Sequence, residues 1–197
     1  IRTLFVGFYG KEFNDKLNVI DHLKKSEINL RPNSKINNKK NKIKIAYLGN
    51  IDEIKGCEEF VKLANDSRLS KHYKFYSFGS DFKNENINSL VINYREQKKT
   101  ITGSLVSDIL YKENINIAFL FSKVAESYSY TMHEAECSCV PIITSCHSGN
   151  ISLQIKQRNI YGICLQNYLS IYQFLSDKEK VVNFVNKNNK ATLNFME

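Results

Sequence analysis

Two carboxylates, Glu126 and Glu134, stand on either side of a turn of hydroxyl and aromatic residues, Ser127-Tyr128-Ser129-Tyr130-Thr131. A continuous apolar run, Ile117-Ala118-Phe119-Leu120-Phe121, leads into the segment, and the pattern predicts a helix beginning near Ser129. Backbone N–H groups at such a helix start have no intrahelical acceptor and form a ready anion site. Carboxylates aimed across the same cleft would accept hydrogen bonds from sugar or ribose hydroxyls. Thr131 and Glu134 also have the spacing of a capping box, which would make Glu134 a structural residue. Spacing alone leaves both readings open.

A second segment of this kind is Gly49-Asn50-Ile51-Asp52-Glu53-Ile54-Lys55-Gly56, directly after an apolar run at 44–48. Gly49 lets the backbone approach a ligand closely, and Gly56 opens the next helix. Lys55 then sits at a helix start, where the macrodipole opposes a cation unless an anion is bound there. A solvated lysine in a polar turn is the alternative. His133 reads as a histidine on the surface of the helix after Ser129, and His147 is a further candidate for lining a cleft. The chain has no Gly-x-Ser-x-Gly elbow and no Gly-x-Gly-x-x-Gly fingerprint, which argues against a serine hydrolase and a dinucleotide enzyme.

These segments need a scaffold, and the sequence supplies one. Strand-like runs at 44–48, 75–78, 90–92, 117–121, 142–143 and 161–164 alternate with helical spacings at 58–64, 104–112 and from Ser129 onward. The stretch 171–195 reads as helical, in two pieces. Repeated strand–helix alternation with short connections implies an α/β fold, a Rossmann-like, doubly wound parallel sheet. Ligands bind such sheets beyond the carboxyl ends of the strands, where both candidate segments fall. A strand at 3–7 and a helix at 17–25 are expected upstream. We therefore expect residues 1–41 to be a βα segment and linker, a remnant of a preceding domain, and residues 42–197 to be one Rossmann-like domain.

The 197 residues are 42% hydrophobic, 12% aromatic and 24% charged, with 8 Gly and 2 Pro, values that exclude collagen-like and Gly/Pro-rich disordered chains. No apolar run approaches the ~18 residues of a membrane-spanning helix. The net charge of +8 is spread along the chain apart from the run at 35–42, so nucleic acid is not expected as a partner. The basic excess suits diphosphates or an anionic membrane surface. Five cysteines, none in paired Cys-x-x-Cys spacing, read as thiols of a reducing cytoplasm rather than zinc ligands.

Glu126 through Glu134 also resembles the Glu-x7-Glu signature of retaining glycosyltransferases with the GT-B fold, of the family 4 (group 1) type. The context agrees in order: Gly49…Lys55-Gly56 before it, then Val140-Pro141-Ile142-Ile143-Thr144-Ser145 and Ser148-Gly149-Asn150 after it. The resemblance covers about 42–165 and implies the C-terminal, donor-binding half of such an enzyme. It implies that Glu126 contacts hydroxyls of the transferred sugar as the catalytic residue, that Glu134 contacts the ribose, and that Lys55 neutralises the diphosphate. Asn50 and Ser127 belong to the same binding loops, and N–H groups near Tyr128, Ser129 and Tyr130 would meet sugar or phosphate. The donor would be a nucleotide-diphosphate sugar held without a metal or other cofactor. The acceptor, a glycan or lipid-linked, would belong to a missing N-terminal domain, with the enzyme cytoplasmic and peripheral to the inner face of a membrane. Two departures stand out: Asn50 replaces the family's usual Arg, and Cys139 replaces a usual Gly, read as a packing variation. A degenerate glycan- or partner-binding domain and another sugar-nucleotide enzyme, such as an epimerase, are the alternatives.

Overall fold

The computed structural model describes residues 41–91, 105–158 and 161–194. The strand expected at 3–7, the helix at 17–25 and the segment 1–40 as a whole lie outside them. Six strands form one sheet: β1 (Ile43–Gly49), β2 (Tyr73–Gly79), β3 (Ile87–Val91), β4 (Ile117–Leu120), β5 (Ile142–Ser145) and β6 (Gly162–Leu165). All neighbours pair in parallel. The order across the sheet is β3-β2-β1-β4-β5-β6. The chain thus winds outward from β1 in one direction, then returns to the other side of β1 with β4. That reversal places a topological switch between β1 and β4.

The helices are α1 (Cys57–Ala64), α2 (Leu105–Lys112), α3 (Tyr130–Cys137), α4 (Asn150–Arg158), α5 (Tyr168–Ser176) and α6 (Lys178–Asn194). Side chains alternate across each strand, so one strand feeds two cores. Ile43, Ile45 and Tyr47 of β1 pack with Phe60 of α1, Phe174 of α5 and Val181 of α6 on one face. Ala46 and Leu48 pack with Leu110 of α2, Met132 of α3 and Ile151 of α4 on the other. Both faces are covered, which explains the unbroken apolar run of β4. Full burial of side chains such as Phe60 and Leu110 contributes about 1.5–3 kcal/mol each.

The expected doubly wound sheet is present, and apart from the third its strands lie where the apolar runs predicted them. The helical stretch at the end of the chain does break in two. Asp177 leaves helical geometry and its carboxylate accepts from Lys180 N, capping α6. Three local readings need correction. Helix α4 was not expected, because its sequence NISLQIKQR offers only a narrow apolar stripe, Ile151 and Ile155. The third strand starts earlier than read, at Ile87, because it pairs with β2 from Phe75 onward. The third correction concerns Cys139, whose φ of 52° lies in the left-handed region. Cys139 N donates to Glu136 O and Val140 N to Ala135 O, the paired bonds of a Schellman ending to α3. A glycine suits that position by conformation, so Cys139 is a backbone matter and not a packing variation. The left-handed conformation costs a side-chain-bearing residue about 1–2 kcal/mol.

Candidate functional site

The segment after β1 is built by local backbone chemistry. Gly49 turns out of the strand at φ 106° and Gly79, its register partner on β2, does the same at φ 127°. The turn carrying Glu53–Lys55 starts at Asp52, whose side chain accepts from Ile54 N at 3.0 Å. Gly56 ends that turn at φ 80° and begins α1. A Cβ at Gly56 would stand 2.5 Å from Phe121 O, so glycine lets the turn lie directly on the end of β4. Lys123 N completes the seam by donating to Ile54 O at 2.7 Å. The Lys123 side chain reaches back to α1 and pairs with Glu59 at 3.0 Å, which raises its pKa. Lys55 therefore stands at the start of α1, as its spacing predicts.

The segment after β4 is fixed from the other side. Ser122, buried, donates to Val124 O and shapes the loop. Glu126 N donates to Ser148 O, and Asn150 N donates to Glu126 O, so the loop after β5 grips the Glu126 backbone on both sides. Gly149 makes this possible: at φ 63°, a Cβ there would fall 2.7 Å from Glu126 N. The gripping loop is itself anchored, with Thr144 Oγ1 donating to Leu120 O and Ser148 Oγ to Ser145 O.

These two segments enclose a cavity of about 250 Å³ at the β1–β4 switch. Asn50, Asp52 and Lys55 line it from one side, Ser122 and Glu126 from the other, and Thr131 reaches it from α3. Lys55 Nζ lies 2.8 Å from Glu126 Oε1. The sequence pointed to each partner but not to the pair. Asp52, Ser122 and Thr131 were missed as lining residues, because a turn aspartate and two hydroxyls carry no signal before the loops are folded together. The described charges on the cavity are two carboxylates and one ammonium. Its wall at Gly49 is open, since a Cβ there would meet nothing nearer than Thr131 Cγ2 at 3.9 Å.

The other predicted residues lie on the loop and helix beside this cavity rather than on its wall. Ser127 is exposed, and Tyr130 is 66% exposed at the first position of α3. Tyr128 packs edge-on to Tyr130 and against His133. His133 Nδ1 lies 3.2 Å from Glu136 Oε2, and with a side chain only 12% exposed it is mostly buried under Tyr128 rather than on the helix surface as its position suggested. His147 is exposed and is not part of the cavity wall, in contrast to its candidacy. Ser129, buried, is the N-cap of α3, its hydroxyl accepting from Met132 N at 3.3 Å.

That cap overturns one of the two readings of Glu134. With Ser129 at the N-cap, the capping position three residues on is Met132, and Glu134 lies two residues further into the helix. Thr131 and Glu134 do not form the capping box. The expected result is a clean separation by thermal unfolding. Ser129→Ala should cost about 0.5–2 kcal/mol through the lost cap, and Glu134→Gln, which removes no cap, should cost less. A larger loss in Glu134→Gln than in Ser129→Ala would show that Glu134 supports α3 structurally.

None of the described cysteines forms a disulfide. Burial pushes the Cys137 thiol up to about 11 and raises Cys57 and Cys164 as well, so these thiols stay protonated at neutral pH. Among the described residues, no group of three or more His, Cys, Asp or Glu side chains is placed to hold a metal ion. No described helix is long and apolar enough to cross a membrane.

The fold has solved counterparts. HepE from Anabaena, in a crystal structure with UDP and glucose, superimposes with a TM-score of 0.56 at 10% identity. The match covers 96% of this chain and 55% of HepE. The fold is one half of a GT-B fold. The C-terminal domain of the glycosyl transferase group 1 protein LpcC from Francisella tularensis matches with a TM-score of 0.48 at 13% identity, over 79% of this chain and 86% of that domain. Sucrose-phosphate synthase from Thermosynechococcus elongatus matches at 0.45 and 14%, over 79% of this chain and 42% of its own. No family model and no curated protein sequence matches the chain.

Proposed function

We propose that this chain is the donor-binding half of a glycosyltransferase that uses a nucleotide-diphosphate sugar. The observation that carries the reading is the meeting of Lys55 and Glu126 across one cavity at the switch point of the sheet. A cation able to neutralise a diphosphate and a carboxylate able to accept from sugar hydroxyls stand where a doubly wound sheet binds its ligands. HepE, which shares the fold, has been crystallised with UDP and glucose, which supports a sugar nucleotide as the ligand class.

In this reading Lys55 stabilises the nucleoside diphosphate as leaving group, and Glu126 holds and orients the transferred hexose. Glu134, set free of capping duty, contacts the ribose from α3. Ser127 and the N–H groups of Tyr128, Ser129 and Tyr130 complete the sugar side, and Asn50 faces the diphosphate. Transfer retains anomeric configuration, proceeds without a metal, and serves the building of a polysaccharide from a glycan or lipid-linked acceptor. The acceptor is supplied by an N-terminal domain. The chain spans 55% of HepE, which agrees with half an active site.

The test is titration calorimetry of the 197-residue chain with nucleosides, nucleoside diphosphates and their sugars. Diphosphates and nucleotide sugars are expected to bind with modest affinity, nucleosides far more weakly, and no sugar is expected to be transferred. A folded chain that binds none of them would overturn the reading, and conversion of one monosaccharide into another would identify an epimerase instead. The charge balance of the cavity, with Asn50 contributing no cation, favours a second reading as a degenerate glycan- or partner-binding domain. Binding of the donor by the chain, with transfer by the full-length protein, separates the two.

A further inference from the structure

The two residues proposed to hold the donor are bonded to each other. Lys55 Nζ reaches Glu126 Oε1 at 2.8 Å, with the Lys55 side chain 41% exposed and the Glu126 side chain 13% exposed. Resting on the donor-binding reading, we propose that Glu126 sets the preference of the site for an intact sugar donor over the spent nucleoside diphosphate. It does so by competing with the diphosphate for Lys55 until sugar hydroxyls occupy its carboxylate.

The argument follows the charges through three states. In the empty site the ammonium and the carboxylate satisfy one another. A nucleoside diphosphate must take Lys55 as its cation. Glu126 then either loses its partner while largely shielded from water or remains beside a like charge, and both weaken binding. The Asp52 carboxylate on the same wall adds to the repulsion and offers no replacement for Lys55. A sugar donor brings hydroxyl donors along with its diphosphate. They give Glu126 new hydrogen bonds in place of the ammonium, so the sugar offsets what the diphosphate removes.

The backbones cannot relieve the conflict by drawing apart. Glu126 is gripped by Ser148 O and Asn150 N, and the Lys55 turn is tied to the end of β4 through Lys123 N and Ile54 O. Only the two side chains can rearrange, so the pair re-forms once the sugar leaves. The spent diphosphate is then the weaker-bound ligand, as product release requires.

The experiment measures affinities of the 197-residue chain and its Glu126→Gln variant for pyrophosphate, UDP and UDP-glucose, with circular dichroism to establish folding. Glutamine keeps the shape and removes the charge. The variant is expected to bind pyrophosphate and UDP about three- to tenfold more tightly and UDP-glucose about tenfold more weakly. The gain should vanish in the Lys55→Ala/Glu126→Gln double variant, since it acts through Lys55. Pyrophosphate makes the first arm independent of base and sugar. If the native chain binds pyrophosphate or UDP and Glu126→Gln leaves that affinity unchanged or lower, the competition is refuted and the donor-binding reading stands. Tightening of UDP and UDP-glucose by the same factor refutes the role of the sugar in the exchange. A native chain that binds none of the three refutes the donor-binding reading and the competition with it.

Discussion

A Gly56→Ala variant is expected to lose roughly 2–5 kcal/mol of stability, with a melting midpoint lower by roughly 5–15 °C. Two effects add. At φ 80° the backbone of Gly56 is in the left-handed region, where a side chain costs about 1–2 kcal/mol. The new Cβ would also stand 2.5 Å from Phe121 O and 2.9 Å from Phe121 Cβ, atoms at the end of a central strand that cannot swing aside. Forcing such atoms apart costs a further ~1–3 kcal/mol. Gly49→Ala supplies the comparison: its Cβ meets Thr131 Cγ2 at an ordinary 3.9 Å, leaving backbone strain alone. Differential scanning calorimetry of the two variants should rank Gly56→Ala well below Gly49→Ala. A Gly56→Ala protein melting within a degree or two of the native chain would show that the turn does not rest on β4 as described.

The other large effect is on binding. Lys55→Ala should weaken nucleoside diphosphates by about 10- to 150-fold, the equivalent of ~1.5–3 kcal/mol for a hydrogen bond to a charged group. Nucleosides should be unaffected, because Lys55 has nothing to neutralise in them. Stability should fall only modestly: the Lys55 end of the pair is 41% exposed and well screened, but Glu126, 13% exposed, is left without its ammonium. Asn50 lines the same cavity and is exposed, so Asn50→Arg should move diphosphate affinity the opposite way. Titration of UDP and uridine against both variants decides the matter. Equal effects on the two ligands would mean that this turn does not face phosphate.

The scaffold was legible because its signals are local. The run at Ile117–Leu120 is apolar without interruption, and Ile142-Ile143 begins a second short block before Thr144 and Ser145; such blocks between turn residues have few uses other than strands covered on both faces. Phe60, Val61 and Ala64 stand at helical spacing, and α1 forms there with Leu63 also buried. Helix α4 was not legible, since its apolar residues are too few to reveal a period and it is held by packing of Ile151 and Ile155 on the sheet. The resemblance that rests on Glu126 and Glu134 identified both residues but could not say which oxygen or nitrogen each would meet.

By itself, then, the sequence determined the parallel α/β architecture, the two loops that line the cavity and the chemical types they carry, because strand periods, glycines and charges are written residue by residue. Tertiary structure alone decided that Ser129 and not Thr131 caps α3, a choice made by where the chain enters the helix. It decided that Cys139 must accept a left-handed backbone to end that helix. It also brought Lys55 to within 2.8 Å of Glu126, because the switch between β1 and β4 places side by side two strand ends that are far apart along the chain. Contacts of that kind depend on strand order and on glycines that allow close approach. Neither leaves a trace in the spacing of the residues that finally meet.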